Sequence, residues 1–406
     1  MRLRRPWSRS SLLGRGVLCA GLATLACQAE AAHDLDRALG LDGDRVLAHP
    51  PPSSELDWTD LRTGFAGRDT LLLQPRSLCF LRDRLLVADG AGPRIEWFDL
   101  DGEHHRTLGR AGEAPGEFRG LGSLRCREDG AAFMAVDAPQ HRIQWFDSAG
   151  RHLRSIPTPP IPAGFPYQGE FALAQDGHWV DSWLAVPVGP VLDHESDWEG
   201  VALARIWDGE GTLVSEAGRP VPYADPTLRR ILNQVSPEFV GDTLWLLTHA
   251  SATLAAYDLQ GQRLGDPVAL PLYHRGIDPV VMVESVRGAP VVASRAAYQP
   301  NLTGLAALEG GRFAVLRYRD WRDVRRHTEQ GESRDFWPRS FVEVVDRSGR
   351  VLSSHPLPGR ARVLASDRRH RVAVIVEHED TEARTVLMAE LPLLDVIPPS
   401  HPSRAR

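Results

Sequence analysis

Several polar residues end short apolar runs at corresponding places in this sequence, and together they could bind a cation. They are Asp89, Asp137, Asp181 and Glu377, with Thr248 or His249 and Arg317 at the same place in two further runs. Carboxylate oxygens are ligands for hard cations, so a metal or cationic ligand is one interpretation. The alternative is local pairing, because Asp89 and Arg94, like Asp137 and Arg142, lie five residues apart across a turn.

No local motif of a catalytic centre accompanies these residues. The sequence contains no H-E-x-x-H, G-x-S-x-G or C-x-x-C, and its histidines do not recur at one repeat position. It also lacks lysine, which excludes lysine nucleophiles and Schiff bases. We therefore predict no catalytic residue, no metal ligand and no cofactor, although a site assembled from distant segments would leave no such motif.

Tryptophan and arginine are concentrated in long segments between the apolar runs. The candidate ligand-binding residues there are Trp183, Trp198, Trp321, Arg325 and Trp337. Large aromatic side chains and arginine are enriched in recognition surfaces. The composition predicts a ligand-binding surface, and padding over the mouth of a channel is the alternative.

The first 31 residues have the features of an export signal. Arginines at positions 2, 4, 5 and 9 precede the apolar stretch GVLCAGLATLAC, which is too short to span a bilayer. Two processing routes are open. Cys27 ends a lipoprotein-like box, and Ala29–Ala31 reads as an A-x-A cleavage site. Either route predicts a protein that is periplasmic, attached to a membrane through an N-terminal lipid, or extracellular.

Beyond the signal only Cys79 and Cys126 remain. In an oxidising compartment two cysteines can form a disulfide if the fold brings them together, and otherwise they serve as buried apolar residues.

The elements that position these residues recur along the chain. The pattern R-I-x-W-F-D-x-x-G occurs around Asp99 and Asp147, and weaker copies follow at Asp208, Asp258 and Asp346. Each copy contains four short strand-like runs separated by turn residues, which predicts one four-stranded antiparallel propeller blade. Counting the copies gives an all-β, six-bladed β-propeller over residues 75–393. One strand from the 32–74 segment, around RVLAHP or DWTDLRTGF, closes the ring, and residues 394–406 form a tail.

The stretch LGRAGEAPGEF, followed by GSLRCREDGAAFMAVDAPQHRIQWFDSAG, resembles NHL-type repeats and the wider group of secreted bacterial six-bladed propellers. The resemblance is clear from Pro75 to Ile156, and later blades keep only the strand pattern. Pro93 and His141 depart from it, since the family usually has asparagine there. The group implies the fold more than a chemistry. Its connector implies that RAGEAPGEF joins two blades, with Phe118 packed between them, and is not a binding loop.

Propeller topology sorts the long segments by face. Segments 157–170, 216–230 and 272–300 join the last strand of one blade to the first of the next. Segments 182–200 and 319–339 join the second and third strands of a blade. All five belong to one face, where a long loop is usually functional or disordered.

These observations predict an exported, non-catalytic, monomeric binding protein of the cell envelope. Its ligand is a protein, peptide or glycan, recognised by long loops on one face. The alternative is a propeller hydrolase or lyase, lactonase-like or amidating-lyase-like, with a metal in the central channel. The net charge of −6 argues against a nucleic-acid partner.

Overall fold

The computed structural model describes residues 54–61, 72–159, 170–182, 201–220, 233–249, 251–271, 281–286, 289–294, 302–328, 331–379 and 383–392. Two compact units are present. The larger, residues 49–274 and 300–406, contains the whole ring. The smaller, residues 1–48 and 275–299, contains an antiparallel hairpin. The predicted export signal with Cys27 lies outside the described residues.

The larger unit is a six-bladed β-propeller of four-stranded antiparallel sheets, as predicted. We call the strands of a blade A to D in sheet order. The short strand β1 (Thr59–Asp60) precedes the blades in sequence. Blade 1 consists of β2 (Pro75–Leu81), β3 (Arg84–Asp89), β4 (Arg94–Asp99) and β5 (His104–Leu108). Blade 2 consists of β6 (Leu121–Cys126), β7 (Ala132–Asp137), β8 (Arg142–Asp147) and β9 (His152–Pro157).

Blades 3 and 4 follow in sequence. Blade 3 consists of β10 (Glu170–Leu173), β11 (Trp179–Ser182), β12 (Ala204–Trp207) and β13 (Leu213–Ala217). Blade 4 consists of β14 (Val235–Val240), β15 (Thr243–Thr248), β16 (Thr253–Tyr257) and β17 (Val268–Ala269). The hairpin of the smaller unit follows in sequence, as β18 (Val281–Val286) and β19 (Ala289–Ser294).

Blade 5 contains β20 (Leu302–Leu308), β21 (Arg312–Thr328), β22 (Gly331–Asp346) and β23 (Val351–Pro356). Blade 6 contains β24 (Arg360–Ser366), β25 (Arg371–Glu377) and β26 (Arg384–Glu390), and β1 is its outermost strand. Thr59 pairs with Met388 and Asp60 with Leu387, so an N-terminal strand closes the ring. The second of the two predicted segments, DWTDLRTGF, supplies it.

The core lies between blades. Six clusters of buried apolar residues are each shared by two neighbouring blades, including one shared by blades 6 and 1. Alternate residues of a strand face opposite sides of its sheet, so the dense apolar pattern of the A, B and C strands fills both interfaces. The described residues include two single helical turns, Ala138–Gln140 and Glu309–Gly311. No helix among the described residues is long and apolar enough to cross a membrane.

The repeated aspartate–glycine pattern is a turn between strands C and D. The Oδ1 atoms of Asp147, Asp208, Asp258 and Asp346 each accept hydrogen bonds from the backbone N–H groups two and four residues later. The glycine of each turn has a positive φ, which glycine adopts without steric cost. These hydrogen bonds lower the pKa of Asp147, Asp208 and Asp346. The motif that reveals the repeat is therefore structural.

The two faces of the ring differ. Strands A and C begin, and strands B and D end, at one face, which we call the loop face. The opposite face, the turn face, carries the A–B and C–D turns. The five long segments join strand ends at the loop face. Segment 319–339 joins strands B and C of blade 5 as predicted, but it is not a loop. Strands β21 and β22 continue through it as a paired hairpin to Thr328 and Gly331, with a register shift between Arg319 and Arg322.

The RAGEAPGEF segment joins blades 1 and 2, as its resemblance implied. Phe118 is fully buried in the cluster shared by these blades. Arg142 Nη1 donates to Glu113 O at 2.7 Å, and Gln144 Nε2 donates to Glu117 O at 2.7 Å. Blade 2 thus holds the connector through side chains of its C strand.

Candidate functional site

The A strands surround a central channel of about 830 Å³. The A strands of successive blades contact one another, and β24 contacts β2. Residues of all six A strands line the channel. A concave space of this size is the natural candidate for a ligand site.

A β-bulge recurs near the start of four of the six A strands. In each, one residue is skipped in the pairing with strand B. The skipped residues are Arg76, Gly122, Thr303 and Arg362. All four line the channel. Bulges re-aim a side chain and are frequent next to active sites. Here they place two arginines and a threonine at the loop-face end of the channel.

Arginines cluster at this end on blades 6 and 1. Arg360 donates from Nε and Nη2 to Glu377 Oε2 at 3.0 and 2.7 Å, and Arg362 donates to the same oxygen at 2.9 and 2.6 Å. Arg384 Nε lies 4.0 Å from Glu377 Oε1. Burial raises the pKa of Glu377, but the hydrogen bonds from Arg360 and Arg362 outweigh it and leave this pKa lowered. Glu377 is thus an ionised carboxylate that organises the arginines.

Arg76 completes this cluster from blade 1. Its Nη2 donates to the neutral Gln74 Oε1 at 3.1 Å. The side chain passes so close to Gly90 that a Cβ there would lie 2.2 Å from Arg76 Nε. Arg76 also contributes to a lowered pKa of Arg384, which burial lowers first and which Arg362, Arg76 and Arg360 lower further by charge repulsion, against the effect of Glu377.

The middle of the channel is crossed by Arg125 of β6. Its Nη1 donates to Ser77 Oγ at 3.3 Å and to Leu124 O at 2.8 Å, and its Nε contacts Phe171 O. Burial lowers the pKa of Arg125 and raises that of Glu170, and each charge partly offsets the shift of the other. Arg125 thus contacts blades 1 and 3 from blade 2, and Glu170 lies at the start of β10, at the loop-face end.

The turn-face end of the channel is bridged by Arg368. Its Nη2 donates to Glu238 Oε1 at 2.7 Å, and its Nη1 donates to Phe239 O at 2.6 Å and to Glu128 Oε2 at 3.3 Å. Burial raises the pKa of Glu238, and the neighbouring Arg368 opposes this shift. These residues belong to blades 6, 4 and 2, so their contacts cross the channel.

The carboxylates that end the B strands of blades 1 and 2 bind backbone of their own blade connections. Asp89 is fully buried and accepts hydrogen bonds from the N–H groups of Leu73 and Gln74, each at 3.0 Å. Asp137 is fully buried and accepts them from Arg119 and Gly120 at 3.1 Å. The expected ion partners are also present: Arg94 lies 3.8 Å from Asp89 and Arg142 lies 3.3 Å from Asp137.

The other B-strand ends also have partners within their own blades. Asp181 pairs with Arg205 and accepts a hydrogen bond from Trp207 Nε1 at 2.8 Å. Arg317 pairs with Glu343. These groups do not converge on one another, so they do not form a shared cation site. Among the described residues, no group of three or more His, Cys, Asp or Glu is placed to hold a metal ion.

His249 forms a serine–histidine pair. Its Nε2 lies 2.8 Å from Ser236 Oγ, and both side chains are buried. Neither residue belongs to the lining of the channel. Burial lowers the pKa of His249 to about 3. The pair is therefore a packed polar contact and not an accessible nucleophile with its base.

The aromatic candidates are only partly placed. Trp183 and Trp198 lie outside the described residues. Trp321, Arg325 and Trp337 lie on the β21–β22 hairpin, where Trp337 pairs with Arg322 through the backbone. Cys79 and Cys126 form a disulfide between the A strands of blades 1 and 2, with Cα atoms 5.6 Å apart.

The channel residues were not predicted as site residues. The predicted polar residues lie at the ends of the B strands, whereas the channel is lined mainly by A strands. One signal was present. Arg76 and Arg362 are charged residues near the start of the strand runs PRSLCFL and RARVLAS, and a bulge can turn such a side chain toward a site.

Comparison with known proteins supports the fold. No protein-family model matches the sequence, and no curated protein matches it significantly. Among solved structures, a member of the DUF4221 family from Bacteroides vulgatus is similar, with 10% identity, coverage of 83% of this chain and 96% of that chain, and a TM-score of 0.52. A candidate exported protein from Bacteroides fragilis matches at 13% identity, with 82% and 94% coverage and a TM-score of 0.50. At identities this low, the structural similarity shows a shared propeller fold and nothing beyond it.

Proposed function

We propose that the chain is an exported, non-catalytic binding propeller that recognises a protein, peptide or glycan of the cell envelope through its loop face. One observation carries the proposal. The long connections join strand ends at the same face as the bulged residues that line the channel mouth. The β21–β22 hairpin, with Trp321, Arg325 and Trp337, is the described part of these connections.

Two features of the described channel favour binding over catalysis. Its charged side chains engage one another, as in the Arg368–Glu238 and Arg362–Glu377 contacts. The Ser236–His249 pair, which has residue types suited to nucleophilic chemistry, is buried outside the channel lining. We therefore assign the site no reactive step.

Export belongs to the same proposal. It is supported by the N-terminal signal features and by the disulfide between Cys79 and Cys126, because disulfides persist in oxidising compartments. The NHL-type resemblance of blades 1 and 2 is consistent with it. Mass spectrometry of the mature N-terminus tests this part. A lipid on Cys27 or a start after Ala31 supports export, and a retained Met1 contradicts it.

A hairpin variant tests the binding function. Residues 320–338 are replaced by Asn-Gly, so that Arg319 and Arg339, which already pair, flank a two-residue turn. We expect wild-type protein to bind one reproducible envelope component, and the variant to lose at least about 90% of this binding, as removal of central aromatic and arginine anchors predicts. Biolayer interferometry on the purified component measures the loss.

The matched control is Arg350→Ala on the turn face of the same blade, where Arg350 is largely exposed beside Asp346. It should bind like wild type. Thermal melting must show that the hairpin variant stays folded. A folded hairpin variant with full binding would overturn the proposal.

A further inference from the structure

The arginine cluster at the loop-face end of the channel is built by more than one element. Arg76 comes from the bulge of β2, Arg362 from the bulge of β24, and Arg384 from the start of β26. Two different blades thus bring guanidinium groups to one place. The side chain of Arg362 is 41% exposed and that of Arg384 is 28% exposed, so both reach solvent.

The charges of this cluster converge on a single carboxylate. Arg360, Arg362 and Arg384 all lie within 4.0 Å of Glu377. Arg76 adds another positive charge and donates to a neutral amide. Like charges repel at these distances, and an anion in the channel mouth relieves that repulsion. Burial first, and then the charges of Arg362, Arg76 and Arg360, lower the pKa of Arg384 against the effect of Glu377.

The bulge itself does not require an arginine. Blades 2 and 5 carry the same bulge with Gly122 and Thr303, so the backbone feature forms without an arginine. Arginine is, however, the side chain best suited to bidentate recognition of carboxylate and phosphate. Arg360 and Arg362 each donate two hydrogen bonds to Glu377 Oε2, so guanidinium groups of this cluster already bind a carboxylate.

We propose that Arg76, Arg362 and Arg384 bind an anionic carboxylate or phosphate group of a ligand that enters the channel from the loop face. This inference rests on the proposed binding function and names the chemical class that the site selects. The Arg368 bridge crosses the channel at the turn face, so an anion there would meet Glu238 and Glu128. Glu170 also lies at the loop-face end, but Arg125 offsets its charge. With Arg76, Arg362 and Arg384, the loop-face end is therefore the end suited to an anion.

Calorimetric titration of the mature protein with citrate and, separately, with inorganic phosphate tests the proposal. We expect at least one of them to bind with a Kd below about 1 mM and with an affinity that falls as salt rises. The double variant Arg76→Met/Arg362→Met should weaken this binding at least about tenfold, because each methionine keeps apolar bulk and removes a charged donor. Citrate binding alone identifies a carboxylate site, and phosphate binding alone a phosphate site.

Arg369→Met is the matched control, because Arg369 is an exposed arginine that lines the same channel near its turn-face end. It should bind the anion like wild type. Binding of neither anion, or equal weakening by the control, overturns the proposal. If the double variant Arg76→Met/Arg362→Met loses anion binding but still captures the envelope partner, this inference alone is refuted. If the wild-type protein binds the anion and the hairpin variant still captures the envelope partner fully, the proposed function alone is refuted.

Discussion

His249 directly follows the last residue of strand B in blade 4, and Thr248 takes the place there that Asp89 and Asp137 have in blades 1 and 2. The aspartates accept backbone N–H groups of the incoming connection. In blade 4 the backbone N–H of His249 donates to Gln234 O at 2.9 Å, and the ring contacts Ser236. Blade 4 therefore has a buried neutral imidazole where its strand B ends, and this makes the blade sensitive to acid.

The sign of that sensitivity follows from the lowered pKa of His249. The folded chain keeps the ring neutral down to about pH 3, whereas the unfolded chain protonates it below about pH 6.5. Stability is complete above pH 6.5 and is lost as pH falls toward 3, by up to about 1.4 kcal/mol per unit. Between pH 7 and 5, His249→Gln should lose about 2 kcal/mol less unfolding free energy than wild type. Urea unfolding at both pH values measures this, and equal losses would contradict it.

At this scale the sequence predicted the partners better than the site. Arg94 and Arg142 were predicted beside Asp89 and Asp137, because a spacing of five across a turn sets the distance locally. Arg76 and Arg362 were not recognised, because their direction depends on a bulge. A bulge is a register shift between two strands, and neither strand sequence specifies it alone.

Among the elements, the connector between blades 1 and 2 shows how glycine permits close packing. Gly109 has a φ of +85°, and a Cβ there would lie 2.5 Å from Phe118 Cε2. Gly116 in the same connector has a φ of +79°, but a Cβ there would meet nothing within 4 Å. Both positions need a positive φ, but only at Gly109 would a Cβ atom collide with a neighbouring side chain.

This pair predicts two different costs. Gly116→Ala should destabilise the protein by about 1 kcal/mol through backbone strain alone. Gly109→Ala should cost about 1–3 kcal/mol more, because it also forces the buried Phe118 to move. Chemical denaturation of both variants measures the difference. Equal costs would mean that Phe118 shifts freely and does not fix the joint.

Strand positions were predicted well, and strand lengths less well. The alternating residues of β3 and β4 and the Asp-x-x-Gly turns are local signals, which is why blades 1 and 2 were clear from sequence. The segment 319–339 is rich in charge, so it lacks the apolar alternation of a buried strand. Its pairing comes from continuation of the ladder that begins at Arg312 and Asp346.

At the scale of the whole molecule, the disulfide joins two A strands beside the channel. Cys79 and Cys126 are separated by 47 residues, and closing a loop of this length restricts the unfolded chain. Reduction, or the double variant Cys79→Ser/Cys126→Ser, should lower the unfolding free energy by about 2–4 kcal/mol. Equilibrium unfolding with and without reductant measures this. The double variant should not respond to reductant, and an unchanged wild type would contradict the prediction.

The strand that completes blade 6 imposes an order on assembly. Thr59 emerges early from a ribosome and must wait for Met388, which emerges after all the other blades. Until then blade 6 lacks its outer strand, and the interface between blades 6 and 1 has no second partner. The first five blades can form in sequence order, but the ring closes only when β1 pairs with β26, which is the last and a long-range step. A chain that stops folding before ring closure would expose unpaired sheet edges to other chains. Rapid pairing of the N-terminal strand with the last blade is therefore needed to avoid aggregation.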